Sequence, residues 1–215
     1  MIVKAKPRKA TGQSDNMRER VLSAAFAAFH EGGFHGASTL DIATRAHVSK
    51  RELYTLFDNK QAMLVACIAE RARRMRLPLD LPPPQNSAAL ADTMTAFGTA
   101  ILRGVCEPEV LAVYRLAITE AKASPEIARA LDSNGRQANL AALTRLLTDA
   151  QARGLIGPGE IAAVASRFFA VLWGDLLVRL LLRVAAVPKP AEMERRARAA
   201  ARAALALDAP SAPND

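Results

Sequence analysis

Only two cysteines, Cys67 and Cys106, occur in the chain, and its three histidines, His30, His35 and His47, stand in neither C-x-x-C nor H-E-x-x-H spacing. A disulfide framework and a structural metal are therefore not expected, and no cofactor is expected either. Aromatic residues are 5% of the sequence and runs of Val, Ile, Thr or Tyr are few. Strand-forming composition is thin while Ala, Leu, Arg and Glu recur, so the expected fold is all-α. The opening MIVKAKPRKA is basic but lacks the apolar stretch of a secretory signal, and the longest apolar region, near Phe168 to Val187, is interrupted by Asp175, Arg179 and Arg183. The expectation is a cytoplasmic protein with no membrane partner.

What is present suits a globular chain: 215 residues with 51% hydrophobic against 23% charged side chains, enough for one large domain or two small ones. The net charge of +8 favours acidic partners, and it is unevenly spread. Residues 1 to 80 hold 14 Lys and Arg against 8 Asp and Glu, whereas residues 81 to 215 hold 15 against 13. The basic excess lies in the first third.

Residues 1 to 13, with Lys4, Lys6, Arg8, Lys9, Pro7 and Gly12, read as a flexible basic arm. A helix capped by Ser14 or Asp15 follows, with Val21, Leu22, Ala25, Phe26 and Phe29 on one face and Gly32-Gly33 as its stop. Ser38 and Asp41 form a variant capping box for a short helix to about Ala46, and Ser49 caps another over Lys50 to Phe57. A fourth helix runs from Lys60 to about Met75. Pro78 and Pro82 to Pro84 cannot continue a helix and mark a boundary, giving a first domain over 14–76, a second over 77–208 and a tail over 209–215. In the second domain the apolar period predicts helices over 87–105, 108–122, 125–134, 136–153, 161–187 and 191–207, for about nine to ten helices overall.

Two short helices joined by a tight turn, behind a supporting helix, make a helix-turn-helix, whose second helix enters a major groove about 12 Å wide. Ser49, Lys50, Arg51, Tyr54 and Thr55 lie on the face opposite Leu53, Leu56 and Phe57, so hydroxyls and cations point outward. Arg51 suits a bidentate contact to guanine, and Tyr54 suits a phosphate. Thr39 and Lys60 stand in the first turns of their helices, where anions are already favoured. Taken singly, a Lys-Arg pair is an ordinary solvated surface and Thr39 an ordinary helix cap.

Taken together, GGFHGASTLDIATRAHVSKRELYTLFDNKQAMLVACIA, from Gly32 to Ala69, resembles the DNA-binding domain of the tetracycline-repressor (TetR) family of bacterial regulators. Gly33, Phe34, Ser38, Thr39, Ile42, Ala43, Ala46, Val48, Ser49, Leu53, Tyr54, Phe57 and Lys60 carry the pattern in order. Two positions depart from it: His47 stands where a turn glycine is common, and Leu56 where a phosphate-contacting histidine is common. Further along, YRLAITEA with PEIARA, from Tyr114 to Ala130, and Trp173 to Leu177 are similar to the C-terminal domain of an AefR-like subgroup. The resemblance implies a dimeric, ligand-responsive repressor of a palindromic DNA operator, released by a small-molecule effector, and no enzyme activity.

The two apolar helices over 136–153 and 161–187 carry more hydrophobic surface than one face needs, so Leu143, Leu147, Phe168, Leu172, Leu176 and Leu180 are expected at a homodimer interface. An effector pocket, mostly apolar, is expected to be lined by Met63, Met94, Phe97, Tyr114, Ile118 and Trp173, with Arg115 and Thr119 as polar anchors. Two other classes stand as rivals. One is a helical protein-interaction module with an incidental basic surface. The other is an enzyme, although no nucleophile elbow, phosphate loop or paired carboxylates accompany the available acids and bases.

Overall fold

The structure, a computed structural model, describes residues 10–76, 79 and 82–206. Residues 1–9 of the arm expected over 1–13, Pro78 and the tail over 209–215 lie outside the described residues. Every regular element among the described residues is helical, and the chain divides into two compact units between Cys67 and Ile68. That division falls inside a helix, ahead of the proline segment.

In the first unit, α1 (Ala10–Gly36), α2 (Thr39–Arg45) and α3 (Lys50–Leu56) are followed by the start of α4 (Lys60–Met75). The first helix begins at Ala10, so residues 10–13 are helical backbone and neither Ser14 nor Asp15 caps it. Pro7 is the last residue that blocks propagation, and a helix already held by packing downstream extends over Gly12 at a cost of about 1 kcal/mol. Gly33 interrupts it with φ 67° and ψ 173°, a backbone state that glycine adopts freely. The unit closes on Val21, Ala25, Ile42, Leu53, Met63 and Leu64, all fully buried. Asn59 caps α4, its Oδ1 accepting from the Ala62 amide at 2.8 Å.

The second unit contains the rest of α4, then α5 (Ser87–Val105), α6 (Pro108–Thr119), α7 (Pro125–Ala130), α8 (Ala138–Ala152), α9 (Ile161–Trp173), α10 (Leu176–Leu181) and α11 (Pro190–Leu205). Its centre is the packing of α11 on α5 and α9. The buried face of α11 carries Ala197, Ala200, Ala201 and Ala204, so the backbones approach closely. A Cβ added to Gly98 of α5 would lie 3.0 Å from both the Ala197 Cβ and the Phe168 ring. Phe97 and Phe168 stack with centroids 6.2 Å apart, and Phe169 meets both edge-on. Burial pushes the Cys106 thiol up to about 11.

Three segments differ from the periodicity reading. Gly135 breaks nothing, because a π-helical turn, Leu131–Gln137, joins α7 to α8. The wider turn is held from outside and inside: Asp132 accepts from Arg136 and from Gln137, five residues on, while Arg76 donates to the Asn134 carbonyl at 2.9 Å. The expected long helix from 161 is cut at Gly174 (φ 46°), and it ends at Leu181, six residues short of 187, where Arg183 turns left-handed at φ 59°. Arginine side chains cap the exposed helix ends. Arg196 donates to the carbonyls of Leu172 and Trp173 at the end of α9, Arg115 to those of Leu180 and Leu181 at the end of α10, and Arg167 to Ala204 near the end of α11. By length and composition Ile161–Leu181 could cross a membrane, but it is broken at Gly174 and packs one side into this core.

Candidate nucleic-acid interface

Local chemistry builds the helix-turn-helix from its caps. Ser38 accepts from the Leu40 amide at 3.2 Å to open α2, while Asp41 turns away from the expected capping box to pair with Arg45, which also reaches Glu31 at 2.8 Å. The box that does form belongs to α3. Ser49 Oγ accepts from the Glu52 amide at 3.1 Å and Glu52 Oε2 accepts from the Ser49 amide at 2.7 Å. That backbone hydrogen bond holds the Glu52 carboxyl below the ordinary glutamate range. Glu52 is the residue that the sequence reading missed; its place three residues after Ser49 was the available signal.

The turn between the two helices depends on His47, which takes φ 53°. Its amide donates to the Thr44 carbonyl at 3.1 Å and the Val48 amide to the Ala43 carbonyl at 3.0 Å. A side chain in this conformation costs roughly 1–2 kcal/mol, which the flexibility of unfolded glycine partly offsets in any replacement. His47→Gly is accordingly expected to raise stability by about 0.5–1 kcal/mol, read as a higher midpoint in chemical denaturation with an unchanged slope.

With Leu53 buried at 0% exposure and Phe57 at 5%, the opposite face of α3 is fixed outward. Ser49, Lys50, Arg51, Tyr54 and Thr55 are all exposed there, as the pattern predicts. The Arg51 guanidinium forms no ion pair among the described residues. Lys50 Nζ lies 5.9 Å from the Tyr54 ring, and Thr55 turns its hydroxyl back to the Arg51 carbonyl at 2.9 Å. Thr39 in the first turn of α2 meets Tyr54, hydroxyl to hydroxyl, at 3.4 Å, so two acceptor-donor groups from separate helices share one spot. Leu40, the next residue of α2, is 63% exposed, an outward apolar group that periodicity did not flag. Leu56 is half-buried at the end of the helix. Lys60 is different: its Nζ donates to the carbonyls of His35 at 3.3 Å and Ala37 at 3.2 Å and stands 4.8 Å from the Phe34 ring.

The other expected sites are corrected by burial. Leu143, Leu147, Phe168 and Leu172 have 0% exposure within one chain, and Leu176 and Leu180 are buried as well, so all six are internal core and not an interface. A single period cannot tell a core facing the chain itself from one facing a copy. The apolar groups of α9 and α10 that do face outward are Val171 at 38% and Val178 at 58% exposure, joined by Leu182 at 67%. Asp175 and Arg179 pair along α10 at 3.6 Å.

The expected pocket residues are divided between the two units. Met63 is fully buried in the first unit, while Met94 and Phe97 are fully buried in the core of the second. Ile118 is 62% exposed and Thr119 is exposed, because α6 turns Val110, Val113 and Ala117 inward instead. The Thr119 hydroxyl donates to the Leu116 carbonyl and Arg115 is spent on the end of α10. Tyr114 and Trp173 are half-buried against the core, and burial raises the Tyr114 phenol. Among the described residues no group of three or more His, Cys, Asp or Glu is placed to hold a metal.

Two family models match this chain. Residues 21–67 match the bacterial regulatory proteins of the tetR family, and residues 92–207 match the AefR-like transcriptional repressor C-terminal domain. Solved structures agree over nearly the whole length. A TetR-family transcriptional regulator from Mesorhizobium loti is 24% identical, with 94% of this chain and 98% of that one covered at a TM-score of 0.74. A TetR regulator from Agrobacterium tumefaciens is 25% identical, with 90% and 95% covered at 0.73. The flavonoid-responsive regulator FrrA is 26% identical, with 92% and 100% covered at 0.67. Comparison with curated proteins gives no match.

Proposed function

The chain belongs to the TetR family of transcriptional regulators, with an AefR-like C-terminal domain, and on that footing we propose that it is a cytoplasmic, ligand-responsive repressor and not an enzyme. It binds a palindromic DNA operator as a homodimer and is released by a small, mostly apolar effector. The observation that carries the DNA reading is the outward face of α3, where Lys50, Arg51 and Tyr54 project from a helix anchored by its own capping box. Lys50 and Arg51 read base edges, and Thr39, Ser49, Tyr54 and Thr55 hold phosphates.

Two copies associate through the outward apolar groups Val171, Val178 and Leu182, which water otherwise covers. The two-fold brings a pair of recognition helices to half-sites about 34 Å apart. The flavonoid response of FrrA supports an effector of largely apolar character. The effector binds in the second unit and shifts α4, whose residues belong to both units, toward a conformer with weaker operator affinity.

The test begins with fragments of the source genome selected by the protein. One palindrome is expected to be bound at least 10³-fold more tightly than scrambled duplex, with affinity falling steeply as salt rises. Equal affinity for both duplexes would defeat the DNA reading. A ligand that binds by calorimetry yet leaves operator affinity flat would defeat the release mechanism.

A further inference from the structure

We infer that Lys60 is a positioning residue of the helix-turn-helix and not one of its phosphate contacts. This rests on the DNA-binding reading above and goes beyond it, because that reading gives the ammonium no task inside the protein. The geometry gives it another task. An ammonium has three N–H donors. Two reach the carbonyls of His35 and Ala37, at 3.3 and 3.2 Å, and the Phe34 ring faces the same group at 4.8 Å.

Each of these partners leads elsewhere in the motif. Phe34 leans on Phe29, a buried residue of α1, with ring centroids 5.6 Å apart. His35 is in the last turn of α1, whose backbone has just been re-aimed by Gly33, and its carbonyl would otherwise seek a donor at a helix end. Ala37 is buried and immediately precedes Ser38, the cap of α2. From there Thr39 touches Tyr54 of α3. Lys60, standing at the first position of α4, thus ties that helix to the end of α1 and to the entry of α2, and the outward pose of α3 follows from both. A cation at the carbonyl end of a helix also opposes the partial negative charge there.

Removal of this tie lowers the fraction of molecules whose helix-turn-helix is set for the groove, and apparent affinity falls by that fraction. It does not remove a neutralised phosphate, so the dependence on salt stays as it was. The two roles therefore separate in one measurement: operator titration at several salt concentrations with the full-length dimer.

Lys60→Met is expected to weaken operator binding about tenfold with an unchanged slope of log affinity against log salt. Lys60→Arg, whose guanidinium donates to the same carbonyls, is expected to recover most of the loss. Phe34→Leu, which removes the ring but no charge, is expected to cost a few-fold at the same slope. A slope reduced by about 0.9 for each lysine lost would overturn the inference in favour of a phosphate contact. Wild-type affinity in folded Lys60→Met would overturn it in favour of a purely stabilising role. Should Lys60→Met fail to fold by circular dichroism, Phe34→Leu decides alone, and wild-type affinity in that variant overturns the inference. If the wild-type protein binds the palindrome and scrambled duplex alike, the DNA reading fails first and this role with it.

Discussion

Arg51→Ala is expected to lower operator affinity by roughly 30- to 10⁴-fold, because a two-fold complex loses two bidentate base contacts at about 1–3 kcal/mol each. The loss is expected to concentrate at one base pair in each half-site. When that pair is changed, the wild-type protein should lose affinity and the variant should barely respond. Folding should be almost indifferent to the change, since Arg51 is exposed and makes no ion pair among the described residues, and surface changes of this kind stay within about 0.5 kcal/mol. Binding to several operator variants, with a thermal melt of each protein, checks both halves. Retained discrimination at every base would remove Arg51 from the reading surface.

Val178→Glu combined with Leu182→Glu is expected to be as damaging although both positions belong to the second unit. Both side chains are exposed in one chain, at 58% and 67%, so the substitutions leave the monomer's own packing intact. In a two-fold interface they would place carboxylates in an apolar contact and against their own copies, and an uncompensated charge there costs several kcal/mol. Sedimentation should then report monomers. Operator affinity should fall by about 10²–10⁴, since the second half-site is no longer held at high effective concentration by the first. Binding to an isolated half-site should not change. A variant that stays dimeric would locate the interface elsewhere. Phe168→Ala makes a useful contrast: it is expected to cost about 3–5 kcal/mol of folding stability, because that ring is internal.

The first unit was largely readable from its residues because its elements are short and each start carries local chemistry. Ser38 and Ser49 set two helix origins through their own hydroxyls, and alternating Leu53 and Phe57 against Lys50, Arg51 and Tyr54 decided which face of α3 looks outward. The second unit was harder for a physical reason. Apolar period shows that Leu143 or Phe168 is buried but not by what, and here the answer is the chain's own α5 and α11. The alanine face of α11 gave little hydrophobic signal although it permits a close approach to α5. Gly135 looked like a break and Gly174 like part of a run. What separates them is tertiary: Arg76 and Asp132 brace the turn around the first, while Arg196 caps the helix that ends at the second. Lys60 was placed correctly at the head of a helix, yet its partners lie more than twenty residues away and no local rule names them.

The ends of α9 and α10 are each closed by one arginine, and Arg196 also acts on the charge of the buried Cys106 thiol. Arg196 and Arg115 each span two successive carbonyls with the planar fork of one guanidinium. Burial raises two acids of the second unit, the Cys106 thiol and the Tyr114 phenol, so both favour the folded state only while they keep their protons. With the buried Cys106 shifted from 9 to about 11, the stability it contributes is complete below pH 9 and drains away as the medium climbs toward 11.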